Sequence, residues 1–243
     1  LGIGLALLML VASFIEGEMG SAIDLAIRLQ SGHLQVRAAS YDETKGSLKW
    51  QDLVENPEQL AAQIGALPQV KAASPRLFAS GFVAVRDSST GVRVWGIDPA
   101  SPTNEPYRQG LLSGEFLSAD DRQGILIGLS LADNLKLKPG DTLNLSINTS
   151  NGDVVEQPFT VRGIFTTGTA SFDRVTVLLP LAKAQTMAQA DNHASTIFIM
   201  LNDKAQADAV ARPRSPRPRG TGPAPSRSAP PTAPADQPPG RTA

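Results

Sequence analysis

Gly124 to Leu145 reads GILIGLSLADNLKLKPGDTLNL, and the way it divides into elements decides the fold. Ile125 to Gly128 is a short apolar run bounded by turn formers, as a buried strand requires. Pro139-Gly140 is a turn pair. Asp141 to Asn148 beyond it alternates polar and apolar residues, the pattern of a half-buried strand. Between the two strands lies Ser130-Leu-Ala-Asp133, of the form S-x-x-[DE]. A serine in that setting caps a helix by accepting a backbone N–H, and the acid three residues on reaches back. The stretch therefore predicts strand, capped short helix, turn, strand. It also falls one residue short of G-x-S-x-G, the elbow that presents a serine nucleophile. Ala132 stands where the tight turn needs its last glycine, so Ser130 reads first as a helix cap and only secondarily as a nucleophile.

The same logic extends outward. Leu77 to Val85 and Val92 to Ile97 are strand-like runs around the turn cluster Asp87 to Gly91, which predicts a hairpin. Asp141 to Asn148 and Val154 to Phe165 flank Asn151-Gly152, the strongest short hairpin signal in the chain. Pro57 to Leu67 predicts a helix with Leu60, Ile64 and Leu67 on one face and a proline in its first turn. Val175 to Leu179 is a strand stopped by Pro180, with a helix over Leu181, Ala184 and Met187. Thr196 to Leu201 is a last strand, and Asp203 is placed to cap a last helix. Asp98-Pro99 ends a strand in a turn. The body is thus α+β, with several antiparallel strands and short helices.

The two ends differ from this body. Leu1 to Ile15 carries no charge. It is shorter than the roughly 20 apolar residues that span a membrane. With no basic residue before it and Glu16-Gly-Glu18 after it, it reads as the outer half of a membrane helix and not as a signal peptide. The first Lys or Arg is Arg28, so the exit side reads as extracytoplasmic. Met19, Ile23 and Ile27, with Leu25 and Leu29 alongside, form a helical stripe, ended by Gly32 as a C′ residue. Such a stripe packs on another helix or covers the domain's own sheet. His33 to Arg37 then alternates like a strand.

After Val210 no large apolar residue occurs. Residues 212–243 cannot bury enough surface to offset the entropy of folding and read as disordered. They are either a natural Pro/Arg-rich tail or GC-rich coding DNA read out of frame. The frame change is favoured, because the break falls inside a predicted helix. The predicted organisation is therefore 1–15 partial membrane helix, 16–32 helical extension, 33–211 core domain, and 212–243 tail.

Composition narrows function. Net charge is −1 over 243 residues, with +5 in the tail and hence −6 in the remainder. An acidic body argues against nucleic acid as a partner. There is no Cys, so disulfides and thiolate metal sites are excluded. His33 and His193 are isolated, unlike clustered metal ligands, and read as solvated or locally bonded. Asp120-Asp121 reads as a solvated turn rather than a catalytic carboxylate pair. Lys138 to Asp141 reads as a turn leading into a strand. There is no P-loop and no G-x-G-x-x-G. No catalytic, cofactor-binding or metal-ligating residue is expected.

A set of motifs in order carries a resemblance: GHLQV, VWGIDPA, Gly114-Glu-Phe-Leu117, GILIG, LADNLKLKPGD, FTVRGIFTTG and VLLPLAKAQ. Over about Leu1 to Val210 the chain resembles the periplasmic core domain of ABC-transporter permeases of the MacB/LolC/LolE/FtsX type. The resemblance implies a permease subunit of the inner membrane with its main domain in the periplasm. It implies as partners a separate cytoplasmic ATPase and a second permease subunit. ATP-driven motion would pass through long helices to the periplasmic domains, which is mechanotransmission. Family members extract lipoproteins, export drugs or peptides, or switch on cell-wall hydrolases, and the GHLQV start looks closer to lipoprotein release. In the family three membrane helices follow the domain; here the Pro/Arg tail stands in their place, which fits a frame change. Two other functions compete: a singly anchored extracytoplasmic binding module, and a hydrolase using Ser130.

Overall fold

The computed structural model describes residues 29, 31–41, 48–203 and 207. Its centre is the quoted stretch. Strand β6 (Gly124–Gly128) runs straight into helix α3 (Leu129–Leu135), and strand β7 (Thr142–Asn148) follows the Lys138–Asp141 turn. That turn is closed by the Asp141 N–H on Lys138 O at 3.1 Å. The remaining strands are β1 (Leu34–Val36), β2 (Val54–Glu55), β3 (Val70–Val85), β4 (Ser88–Ile97), β5 (Leu111–Gly114), β8 (Val154–Phe165), β9 (Thr176–Pro180), β10 (His193–Ala194) and β11 (Thr196–Leu201). The other helices are α1 (Pro57–Gly65), α2 (Glu105–Gln109), α4 (Ala170–Asp173) and α5 (Leu181–Ala188). The architecture is mixed α+β.

Strand order in the main sheet is β1-β11-β3-β4-β9-β6-β8-β5, and β7 pairs with both β3 and β8. The path β3-β4-β9-β6-β8-β7-β3 therefore closes a ring of six strands. Two long strands make this possible. One edge of β3 pairs with β11 over Val70 to Arg76, then with β7 over Gly81 to Ala84. One edge of β8 pairs with β7 over Val154 to Thr160, then with β5 from Gly163. Pairs β4–β9 and β6–β8 are parallel and the rest antiparallel. Closure removes most free sheet edges, which otherwise invite pairing with other chains.

All six ring strands feed one core cluster, including Val83, Val94, Ile127, Leu145, Phe159 and Val177, with α3 and α5 contributing Leu131 and Met187. Strands β6 and β9 are buried on both faces. This explains why ILI and VLL read as continuous apolar runs and not as alternation. Their outward residues, Leu126 and Leu178, join a second cluster with Trp95, Tyr107, Phe165, Phe172 and Leu29. A third, smaller cluster packs α1 over β11 and the start of β3 through Ala61, Val70, Ile197 and Ile199. Each fully buried Leu, Ile or Phe contributes roughly 2 kcal/mol of transfer free energy, so the closed ring is the main source of stability.

Several sequence expectations shift. The first hairpin forms, but its turn is Arg86-Asp87, since Val85 pairs with Ser88. The Ser-Ser-Thr-Gly cluster lies within β4, on the exposed tip where polar residues face water. Helix α1 ends at Gly65, and Leu67 is 47 % exposed instead of joining Leu60 and Ile64 against the core. Strand β1 is shorter than His33–Arg37 by one residue at each end. The membrane segment, most of the helical extension with its Met19/Ile23/Ile27 stripe, the helix expected after Asp203 and the Pro/Arg tail lie outside the described residues. No helix among the described residues is long and apolar enough to cross a membrane.

Candidate functional site

The residues weighed as chemical candidates do not converge. Ser130 is not the cap of α3. Gly128 occupies that position with extended backbone, φ −70° and ψ 149°, and no side chain caps the helix. The helix starts two residues earlier than the capping box requires, because β6 feeds into it without a loop. Ser130 therefore sits inside the first turn, and Asp133 is exposed. Gly128 is a glycine because the chain crosses there: a Cβ would stand 2.1 Å from Asp173 O and 2.6 Å from Asp173 Cα. His33 accepts the Leu201 N–H at Nδ1, 3.0 Å. His193 packs edge-on against Trp50, ring centroids 4.5 Å apart, with Nδ1 2.8 Å from Asp191 O. Each histidine is locally occupied, as the sequence suggests. No group of three or more His, Asp or Glu side chains among the described residues could hold a metal ion.

Asp121 is a structural residue. It accepts the N–H groups of Gln123 and Gly124 at 3.2 and 2.7 Å and the Arg162 Nε–H at 2.7 Å. Partial burial pushes its carboxyl up; the Arg162 hydrogen bond and the two backbone donors outweigh that and leave it below the ordinary value. Asp120 takes no part in these bonds, so the neighbouring carboxylates do not act as a pair. An open cleft of about 520 Å³ between α1 and α5 is walled by Ala61, Pro75, Pro180 and Gln185, with Glu58 and Asp98 at its sides. Its lining contains no histidine, serine or cysteine.

The arrangement that stands out is at the junction where the chain enters the domain, and it rests on Arg76 and Tyr107. Strand β3 carries Arg76 into the second core cluster, where it is fully buried. Its Nη1 donates to Leu29 O at 2.8 Å. Tyr107, on α2 and also fully buried, donates its hydroxyl to the same oxygen at 2.8 Å. Among the described residues Nη2 makes long contacts, to Thr103 O at 3.4 Å and Asn104 Oδ1 at 3.5 Å. The guanidinium carbon lies 3.6 Å from the Phe198 ring centroid, with Trp95 and Tyr107 farther out. The cation is thus held by π faces and carbonyl oxygens. Burial lowers the Arg76 pKa, with Tyr107 opposing. Burial likewise pushes the Tyr107 phenol up to about 12 against the effect of Arg76, so it stays a neutral donor.

The exit lies beside the entry. Strands β1 and β11 are antiparallel neighbours, Leu34 opposite Ile199, and the His33 N–H bonds Ile199 O at 2.9 Å. Gly32 adopts φ +68°, as a C′ residue does, and a Cβ there would meet Ile199 O at 2.8 Å. Arg76 and Tyr107 carried no signal in the sequence. Residues Ser74 to Leu77 are all buried, so no alternation marks Arg76 as inward.

Residues 1–213 match the family described as MacB-like periplasmic core domain. The periplasmic region of MacB from Actinobacillus actinomycetemcomitans is similar at 18 % identity and TM-score 0.46, over 62 % of this chain and 67 % of that one. The extracellular domain of the ABC-type transporter YknZ from Gram-positive bacteria is similar at 15 % identity and TM-score 0.49, over 66 % and 79 %.

Proposed function

The chain belongs to the family of MacB-like periplasmic core domains, found in ABC-transporter permeases, and from that premise we propose that it is the part of a permease subunit that converts ATP-driven movement into work outside the cytoplasm. Residues 1–15 and 16–32 are the membrane helix and its extension, 33–211 the core domain, and 212–243 a tail without a role in transport. A separate cytoplasmic ATPase supplies the energy, a second permease subunit completes the transporter, and the work is export or lipoprotein release at the inner membrane. The domain is mechanical and not catalytic.

The observation that supports this reading is the junction. Entry at β1 and exit at β11 are paired side by side, so a load on either chain crossing reaches one sheet edge. The coding DNA tests the reading. Translated onward from codon 210 in all three frames, it should yield three apolar stretches of about 20 residues. If no frame does, the chain is a singly anchored binding module and the permease reading fails.

A further inference from the structure

We propose that Arg76 and Tyr107 are positioning residues that fasten the backbone at Leu29 to β3, so that displacement of the segment ending at Gly32 passes into the sheet without slack. The proposal takes its purpose from the permease reading and its mechanism from the junction geometry.

Leu29 lies in a π-helical turn, so the N–H four residues on, that of His33, is not its donor. His33 gives its N–H to Ile199 O instead. Two buried donors, Arg76 Nη1 and the Tyr107 hydroxyl, take up Leu29 O at 2.8 Å each. Arginine is an expensive residue for this place. Arg76 is 0 % exposed, its Nε has no partner, and no carboxylate among the described residues bonds it. For packing alone, an apolar side chain of similar volume would hold the core as well or better. What a cation adds is a charge-assisted hydrogen bond to a backbone carbonyl oxygen. If Leu29 pulled away, the guanidinium would lose its one short hydrogen bond among the described residues and keep two long contacts and the aromatic faces around it. Detachment is therefore penalised at the point where force enters. Strand β3 is suited to receive that force: its 16 residues span roughly 50 Å and pair in turn with β11, β4 and β7.

Amide hydrogen exchange on the full chain tests the proposal, comparing wild type with Arg76→Met and Tyr107→Phe. The amides of residues 31–36 should exchange roughly three- to tenfold faster in both variants, the effect of losing one buried hydrogen bond. Amides of β6 and β9 should keep their rates, and the melting temperature of Arg76→Met should hold or rise. Unchanged exchange over 31–36 would overturn the proposal. So would equal acceleration in β6 and β9, which would mark both side chains as core filling. Should Arg76→Met fail to fold, Tyr107→Phe decides alone, because it removes one oxygen and keeps the ring. These measurements need no ATPase, so failure of the permease reading would leave their outcome standing.

Discussion

Asp173 gives the sharpest test of how the core is held. It is 2 % exposed and lies at the end of α4, where it accepts the Thr166 and Thr167 hydroxyls at 2.7 Å each. It also accepts the Thr167 N–H at 3.0 and 3.2 Å. The carboxylate thus ties the loop after β8 to the backbone that crosses Gly128. In Asp173→Ala all three donors lose their acceptor. Hydrogen bonds to a charged group contribute about 1.5–3 kcal/mol each, but the Thr166 hydroxyl is partly exposed and can turn to water. The Thr167 N–H and hydroxyl stay buried and unpaired, so the net cost is about 3 kcal/mol. Asp173→Asn keeps one oxygen for Thr167 and offers an N–H to the Thr166 oxygen, so it costs about 1 kcal/mol. Denaturant unfolding followed by tryptophan fluorescence reads both. Trp95 is buried edge-on to Phe172 at 5.3 Å, while Trp50 is already half exposed, so Trp95 dominates the change. If alanine costs under about 1 kcal/mol, or asparagine costs as much as alanine, the carboxylate network does not hold this loop.

Other expectations are simpler. Gly128→Ala should lose about 1–3 kcal/mol by overpacking against the Asp173 backbone, whereas Ser130→Ala should change stability by less than about 0.5 kcal/mol. The reverse order in an unfolding titration would restore Ser130 as a cap. A fluorophosphonate probe should leave Ser130 unlabelled, and labelling abolished by Ser130→Ala would establish a hydrolase. Asp121 has a folded-state pKa below its unfolded value, so its contribution is present above the usual carboxylate pKa of about 3.9. It is lost as pH falls through the folded value. Stability measured against pH should therefore be flatter below pH 4 in Asp121→Asn than in wild type. Tyr107 has the opposite sign: its folded value near 12 lies above the unfolded one near 10. Its contribution is complete below pH 10 and disappears as pH rises toward 12. A tyrosinate band that grows fully by pH 10.5 without unfolding would contradict the burial of its hydroxyl.

The elements were legible wherever local pattern and tertiary demand agreed. The Asn151-Gly152 hairpin, the Pro-Gly turn before β7 and the start of α1 at Pro57 rest on backbone preferences that neighbours do not alter. The first hairpin was found but its turn misplaced, because serine and threonine are tolerated on an exposed strand tip as readily as in a turn. The capping box at Ser130 was misread for a different reason. A motif specifies which side chains could bond, but the helix start was set by β6 running into α3 and by Asp173 crossing over Gly128.

The sequence by itself determined an acidic, cysteine-free α+β body between two compositionally foreign ends, most of its strands, and the family resemblance. These follow from properties each residue carries locally: hydropathy at period 2 or 3.6, turn preference and charge. Only the tertiary structure decided that six strands close into a ring, that entry and exit lie side by side, and that Arg76 and Tyr107 meet at Leu29 O. Those facts join residues 47 and 78 positions apart along the chain. Nothing in the local pattern around Arg76 marks it, because a buried cation is recognisable only by the carbonyl that the fold brings to it.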